Sequence, residues 1–193
     1  MEVLVISPQE NIPDEIDILI KLFKEGLELF HVYKPNFCEE ELEKYILSIP
    51  EEYWDFIVLH HHYELAYKYE LYGVHCRAEN QDLNHAFKSS SCDNLKDLQQ
   101  IKNLLSNFVL LEPIFEINNS KILTDKQALL TTLQKPRQNG LFALGGVNEN
   151  NIKTCAEMGF DGVAIKEAIW NSKHPISVFK NIRNQCQKLY KEN

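Results

Sequence analysis

The sequence predicts an α/β chain in which eight short parallel strands, most of them followed by a helix, close into a (βα)8 TIM barrel. Three observations predict it. Short apolar runs bounded by turn residues recur along the chain, and stretches with helical spacing separate most of them. The stretch 140–170 is a whole strand–helix–strand unit with the pair Gly145-Gly146 after its first strand. No linker, low-complexity tract or composition break divides the 193 residues, so one compact domain over 1–193 is expected. A right-handed series of parallel βα units is the simplest topology for this alternation, and eight of them can close on themselves. The rival is an open doubly wound sheet, whose dinucleotide fingerprint the chain lacks.

The elements follow in order. Residues 3–7 form a short β-rich run. Over 14–25, Ile16, Leu19, Ile20 and Phe23 share one helical face, and Gly26 fits the stop. Residues 27–33 read as the second strand and 39–47 as a helix with Leu42, Tyr45 and Ile46 inward. The run Glu39-Glu40-Glu41 suits the exposed first turn of that helix, where acids favour the dipole. Residues 55–59 read as strand three, 62–69 as a helix, 72–76 as strand four and 86–90 as strand five. The fifth is the weakest assignment, because Lys88 and three serines interrupt it. A helix over 95–105, strand six over 107–111 and a helix over 124–133 capped by Thr124 come next. Strands seven (141–144) and eight (162–165) flank a helix closed by Gly159, and 176–191 is the last helix.

Composition narrows the partners. The chain is 44% hydrophobic and 25% charged, as globular proteins are, with room for a core. A net charge of −8 argues against nucleic acid as a partner. No apolar run is long enough to span a bilayer, and the N-terminus has no secretory pattern. Five scattered cysteines without a C-x-x-C pair read as reduced thiols, so a cytoplasmic location is expected. Homo-oligomer formation stays open.

In such a barrel the chemistry sits at the C-terminal ends of the strands and just beyond. The polar residues there are His31, Tyr33 and Lys34 after strand two, His60, His61 and His62 after strand three, and His75, Arg77, Glu79 and Asn80 after strand four. Ser89, Ser90, Ser91 and Asp93 follow strand five. Glu112, Asn118, Asn119, Ser120 and Lys121 follow strand six, and Lys166 and Glu167 follow strand eight. Two glycines after strand seven let a backbone approach a phosphate closely, although a tight turn alone would also use them. The histidine run invites a metal reading, Zn²⁺ for instance, with His75 or Glu79 completing the set. Adjacent residues at a strand end point in opposite directions, so the three cannot share one ion without a turn. Hydrogen bonding or proton transfer by His60 or His61 fits better, and a plain loop is the other reading. His75, inside Gly-Val-His, reads as a satisfied structural group. Cys76 and Cys92 read as buried or idle thiols, and Trp54 and Trp170 as core or rim aromatics.

Four short motifs carry a resemblance. They are His31-Val32-Tyr33-Lys34-Pro35, Glu64-Leu65-Ala66 with Gly73-Val74-His75, Pro113-Ile114-Phe115 with Ser120-Lys121, and Ala143-Leu144-Gly145-Gly146-Val147 with Gly162-Val163-Ala164-Ile165. In that order the chain resembles the thiamine-phosphate synthase and thiazole-tautomerase family over most of its length. The resemblance implies the barrel, a role in thiamine biosynthesis, and phosphorylated thiamine precursors as ligands. Its synthase branch joins hydroxymethylpyrimidine diphosphate to thiazole phosphate with Mg²⁺ and releases pyrophosphate. It implies anion-binding or catalytic roles for Lys34, Ser91 and Lys121, a phosphate site at Gly145, Gly146, Ile165 and Lys166, and Glu79 as the remaining metal ligand, and it sets His60 and His61, read above as catalytic candidates, where an Asn-Asp pair is usual. The chain departs from the pattern at Tyr33, where a second cation is usual, at His61, where a magnesium Asp is usual, and at Glu167, where a Ser is usual. Mg²⁺ prefers carboxylate and water oxygens to imidazole. Two alternatives therefore stand beside the synthase: a metal-free thiazole-phosphate tautomerase, and a relative that binds these precursors without catalysis.

Overall fold

The computed structural model describes residues 1–76, 85–93, 106–116, 131 and 139–191. Its strands are β1 (Glu2–Ile6), β2 (Phe30–Val32), β3 (Ile57–Leu59), β4 (Gly73–Cys76), β5 (Lys88–Cys92), β6 (Phe108–Leu111), β7 (Gly140–Ala143) and β8 (Gly162–Ile165). They pair in chain order, every pair parallel, and β8 returns to β1 to close the barrel. The described helices are α1 (Glu15–Lys24), α2 (Glu39–Leu47), α3 (Glu64–Lys68), α4 (Ile152–Met158), α5 (Glu167–Trp170) and α6 (Pro175–Lys191). The expected barrel is the observed one. The helix expected over 95–105 lies outside the described residues, as does nearly all of the one over 124–133.

The differences from the expected elements are local. Strand two starts only at Phe30, because Gly26 and Leu27 still turn back on α1 through bonds to Phe23 and Leu22. The first part of 55–59 belongs to a 3-10 helix, Glu51–Phe56, which Pro50 starts by accepting from the Tyr53 amide. Strand five lies two residues further on than expected, at Lys88–Cys92. Its register sets Ser89 against His75 and Phe108, and Ser91 against Leu110, so small hydroxyl side chains sit beside large neighbours.

Alternation along each strand separates two cores. The larger lies between strands and helices, with Val5, Val32, Leu59, Val74, Val109, Leu141 and Val163 facing Leu19, Leu22, Ile46 and Ile182. The smaller fills the barrel itself, with Leu4, Ile6, Phe108, Leu110, Phe142, Leu144 and Ala164, and with Leu29, Tyr33 and Phe87 packed against it. Phe87, Phe108 and Phe142 form the floor, with ring centroids 5.6 Å and 4.4 Å apart. Glycines make room for them. A Cβ on Gly162 would stand 2.3 Å from the Phe142 ring, and one on Gly73 would stand 2.5 Å from Phe87. Large side chains opposite small ones plug that end, leaving the C-terminal ends of the strands as the open mouth. No described helix is long and apolar enough to cross a membrane.

Candidate active site

The mouth is a cavity of about 1020 Å³. Two chemically different walls line it. From β2 to β5 come Tyr33, His60, His75 and Ser91, and from β6 to β8 come Leu110, Glu112, Phe115, Leu144, Gly145, Lys166 and Glu167. The polar wall follows from strand parity. Leu29 and Tyr33 both pack against the inner core, so His31, between them at the same parity, also points inward. It is fully buried.

Three imidazoles meet on that wall. His31 Nδ1 lies 3.0 Å from His60 Nε2, and the His60 and His75 rings stack with centroids 4.1 Å apart and planes 17° from parallel. His75 Nδ1 is hydrogen-bonded to Ser89 Oγ at 2.9 Å, and the Tyr63 hydroxyl donates to the His75 carbonyl at 3.2 Å. Burial pushes the His31 ring well below the ordinary imidazole pKa, with His75 adding to the effect. Burial does the same to His60, helped by His75, His31, His61 and Lys166. The His31 and His60 rings are therefore neutral donor–acceptors at pH 7.

The three consecutive histidines part in the fold. His60 has neighbours from β2 and β4 rather than His61 and His62. His62 has φ +51° and bonds through Nε2 to the Phe37 carbonyl at 3.1 Å. His61 lines the cavity, its ring pKa is lowered by burial, and its Nε2 is buried with no hydrogen-bond partner among the described residues. His75, read as structural, is part of the inner cluster.

The other expected site residues divide. Ser91, Gly145 and Lys166 line the cavity. Lys34 does not. At the parity opposite Tyr33, it turns outward and is fully buried behind the wall. Its Nζ lies 2.8 Å from Glu15 Oε2 and donates to the Glu10 carbonyl at 3.1 Å, and the Tyr45 ring lies 5.0 Å away. Burial lowers its pKa while Glu15 pulls it back up. Ile165 also faces the helices, so only its backbone reaches the rim. Gly146 packs under the β6 loop, and its carbonyl accepts from Asn148 and Asn151 at 3.0 and 2.9 Å. Glu79 and Lys121 lie outside the described residues, as do Arg77, Asn80, Asn118, Asn119 and Ser120.

Lys166 is the one Lys or Arg side chain among the described residues lining the mouth. Its Nζ stands 5.5 Å from the Tyr33 ring centroid and 3.9 Å from Glu167 Oε1. Across from the imidazoles, Glu112 is pushed above the usual carboxylate range, first by burial and then by Asp93 and Glu167, with Lys166 opposing. A raised carboxyl, neutral imidazoles and one cation around a single cavity can exchange protons with a bound ligand and hold an anion. The residues do not suit Mg²⁺ on the β3–β4 side. The described groups there are imidazoles, and the carboxylates Glu112, Glu116 and Glu167 belong to the opposite wall. Glu112 and Tyr33 are findable from sequence by their strand-end positions. Gln9, which also lines the mouth, lies past β1 in a loop that carries no such signal.

The chain is similar to known proteins over most of its length. A thiamine-phosphate synthase of Prochlorococcus marinus (strain AS9601) is 24% identical over 183 residues, a match covering 85% of this chain and 51% of that protein. The chain thus spans about half the length of the curated relatives it matches. The crystal structure of thiamine phosphate pyrophosphorylase from Bacteroides thetaiotaomicron is 26% identical with a TM-score of 0.81, covering 98% of both chains. Thiamine phosphate pyrophosphorylase from Pyrococcus furiosus, 13% identical with a TM-score of 0.83 over 97% of this chain and 96% of that one, shares the fold. The family model for thiamine monophosphate synthase matches residues 3–169, the whole barrel from β1 into α5, and the chain belongs to that family.

Proposed function

We propose that the chain acts in thiamine biosynthesis as a synthase, joining hydroxymethylpyrimidine diphosphate to thiazole phosphate. The observation that carries this reading is the pairing of family membership with a mouth that keeps Gly145 and Lys166 at the ends of β7 and β8. The thiazole phosphate would sit there, held by the Gly145-Gly146 and Ile165-Lys166 backbone and by the Lys166 ammonium. Tyr33, His60, His61 and Ser91 would hold the pyrimidine on the opposite wall. The carbon–oxygen bond of the pyrimidine diphosphate breaks first, its electron pair leaving with pyrophosphate, and the thiazole nitrogen then attacks the resulting pyrimidine methylene cation. Lys121 belongs to this reading through the resemblance, as a cation for the leaving group. Lys34 does not reach that group and supports the wall from behind. Glu79, the family's nearest carboxylate, is the residue this reading leaves for Mg²⁺, and no step is drawn through the ion.

Incubating the purified chain with both substrates and Mg²⁺ should yield thiamine phosphate, and no product above background would reject the synthase. Lys166→Ala should raise the Kd for thiazole phosphate about tenfold, or about 1.4 kcal/mol, as measured by calorimetry. An unchanged Kd would remove Lys166 from the phosphate site.

The neutral His60 ring beside the cavity favours a second reading, a thiazole-phosphate tautomerase. It requires no diphosphate, only a group that takes a proton at one ring position and returns it at another. Isomerisation of the thiazole carboxylate phosphate by the chain alone, lost in His60→Ala or His61→Ala, would select it over the synthase.

A further inference from the structure

We propose that His31, His60 and His75 form a binding site for a first-row transition-metal dication, Zn²⁺ foremost, on the inner wall of the barrel. One ring nitrogen of each lies within 4.8 Å of the other two. In a tetrahedral Zn²⁺ site with Zn–N near 2.0–2.1 Å, ligand nitrogens are about 3.3 Å apart. The His31–His60 pair is already at 3.0 Å, so closing the set requires the His75 and His60 rings to tilt out of their stack.

Hydrogen bonding alone does not settle the His31–His60 pair. His31 Nε2 is buried with no hydrogen-bond partner among the described residues. Neither tautomer cures this. If Nδ1 donates to His60, Nε2 is a bare lone pair in the core; if His60 donates, Nε2 carries an unused proton. Hydrogen bonding within the cluster therefore leaves one polar atom stranded in either tautomer. A metal ion on Nδ1, the nitrogen that faces His60, would replace this pair and fix the proton on Nε2.

The surroundings fit a metal of this class. Ser89 Oγ holds His75 Nδ1 from outside the cluster, as hydrogen-bond partners behind a metal site orient ligating imidazoles. His60 and His75 line the cavity, which provides an entry path and an open coordination position. Three imidazole ligands with one open position are the pattern of catalytic zinc sites, and imidazole selects Zn²⁺, Co²⁺ or Ni²⁺ over Mg²⁺. The site differs from the magnesium carboxylates that the resemblance implies.

The test uses the full chain, stripped of metal with chelator and titrated with Zn²⁺ by calorimetry and with Co²⁺ by visible absorption. A single site is expected whose Zn²⁺ a hundredfold excess of Mg²⁺ does not displace. His60→Ala and His75→Ala should each weaken it by more than about a hundredfold, beyond the roughly 10–100-fold usual when only a partner that orients a ligand is changed. His174→Ala, an exposed histidine outside the barrel, should leave it unchanged. X-ray absorption at the zinc edge of the unsubstituted protein should show three imidazoles, a readout independent of how the variants fold. No binding by the full chain, binding that survives in folded His60→Ala, or an edge spectrum without three imidazoles would overturn the site. Thiamine phosphate formation is scored separately, so either proposal can fail while the other stands.

Discussion

Replacing Glu15 by alanine should cost about 3–5 kcal/mol of stability, the usual loss when one partner of a buried ion pair is removed. Lys34 and Glu15 are respectively fully buried and 4% exposed, with 2.8 Å between Nζ and Oε2. Glu15 Oε1 also accepts from the Tyr45 hydroxyl at 2.5 Å. The substitution would leave an ammonium with one carbonyl and two aromatic faces, and a buried phenol with no acceptor. Urea unfolding monitored by circular dichroism measures the loss. Adding Lys34→Met to Glu15→Ala should recover most of it, because an apolar chain of similar volume needs no counter-charge. If the pair is purely structural, the double variant keeps the single variant's affinity for thiazole phosphate. A tenfold drop specific to Lys34→Met would return that lysine to the site.

Gly146→Ala should cost about 2–5 kcal/mol from two sources that add: about 1–2 kcal/mol for a non-glycine residue in the left-handed region and about 1–3 kcal/mol for overpacking. Gly146 has φ +67°, and a Cβ there would stand 2.7 Å from the Phe115 carbonyl oxygen and 2.8 Å from that of Glu116. Both obstacles are backbone, so no side-chain rotation relieves them. The β6 loop is also tied to the glycine turn through Ile114 N to Leu144 O at 2.9 Å and Phe115 N to Gly145 O at 3.1 Å. Any shift that relieves the clash would move Pro113 and Phe115 within the mouth, so phosphate affinity should fall with stability. Equilibrium unfolding checks the first effect and thiazole phosphate calorimetry the second. A loss below 1 kcal/mol with unchanged affinity would show that the loop yields freely.

Gly146 also shows how the two readings of a glycine pair coexist. The sequence offered a phosphate turn or a tight turn. The structure places Gly145 on the cavity and Gly146 under the neighbouring loop, so one residue of the pair faces the ligand space while the other permits the packing.

The barrel was legible because it rests on local signals. Apolar runs of strand length, helical stripes such as that over α1, and stops such as Gly26 and Gly159 are written in consecutive residues. The placement of polar groups at strand ends was legible for the same reason, and it found Tyr33, His60, Ser91, Glu112 and Lys166. The precise start of a strand was not legible, as β5 shows: three serines look like a loop until Phe108 and His75 beside them explain why small side chains are needed.

By itself, then, the sequence determined the alternation of strand and helix, the eightfold count, the glycine turn and the family. Tertiary structure alone decided which side chains meet. His31, His60 and His75 are 29 and 15 residues apart along the chain, and they share a wall only because β2, β3 and β4 are neighbours in one register. Lys34 is one residue from Tyr33, yet it faces a different environment, because successive side chains leave a strand on opposite sides. Sequence spacing carries the period of two, while inside and outside acquire meaning only once the sheet has closed.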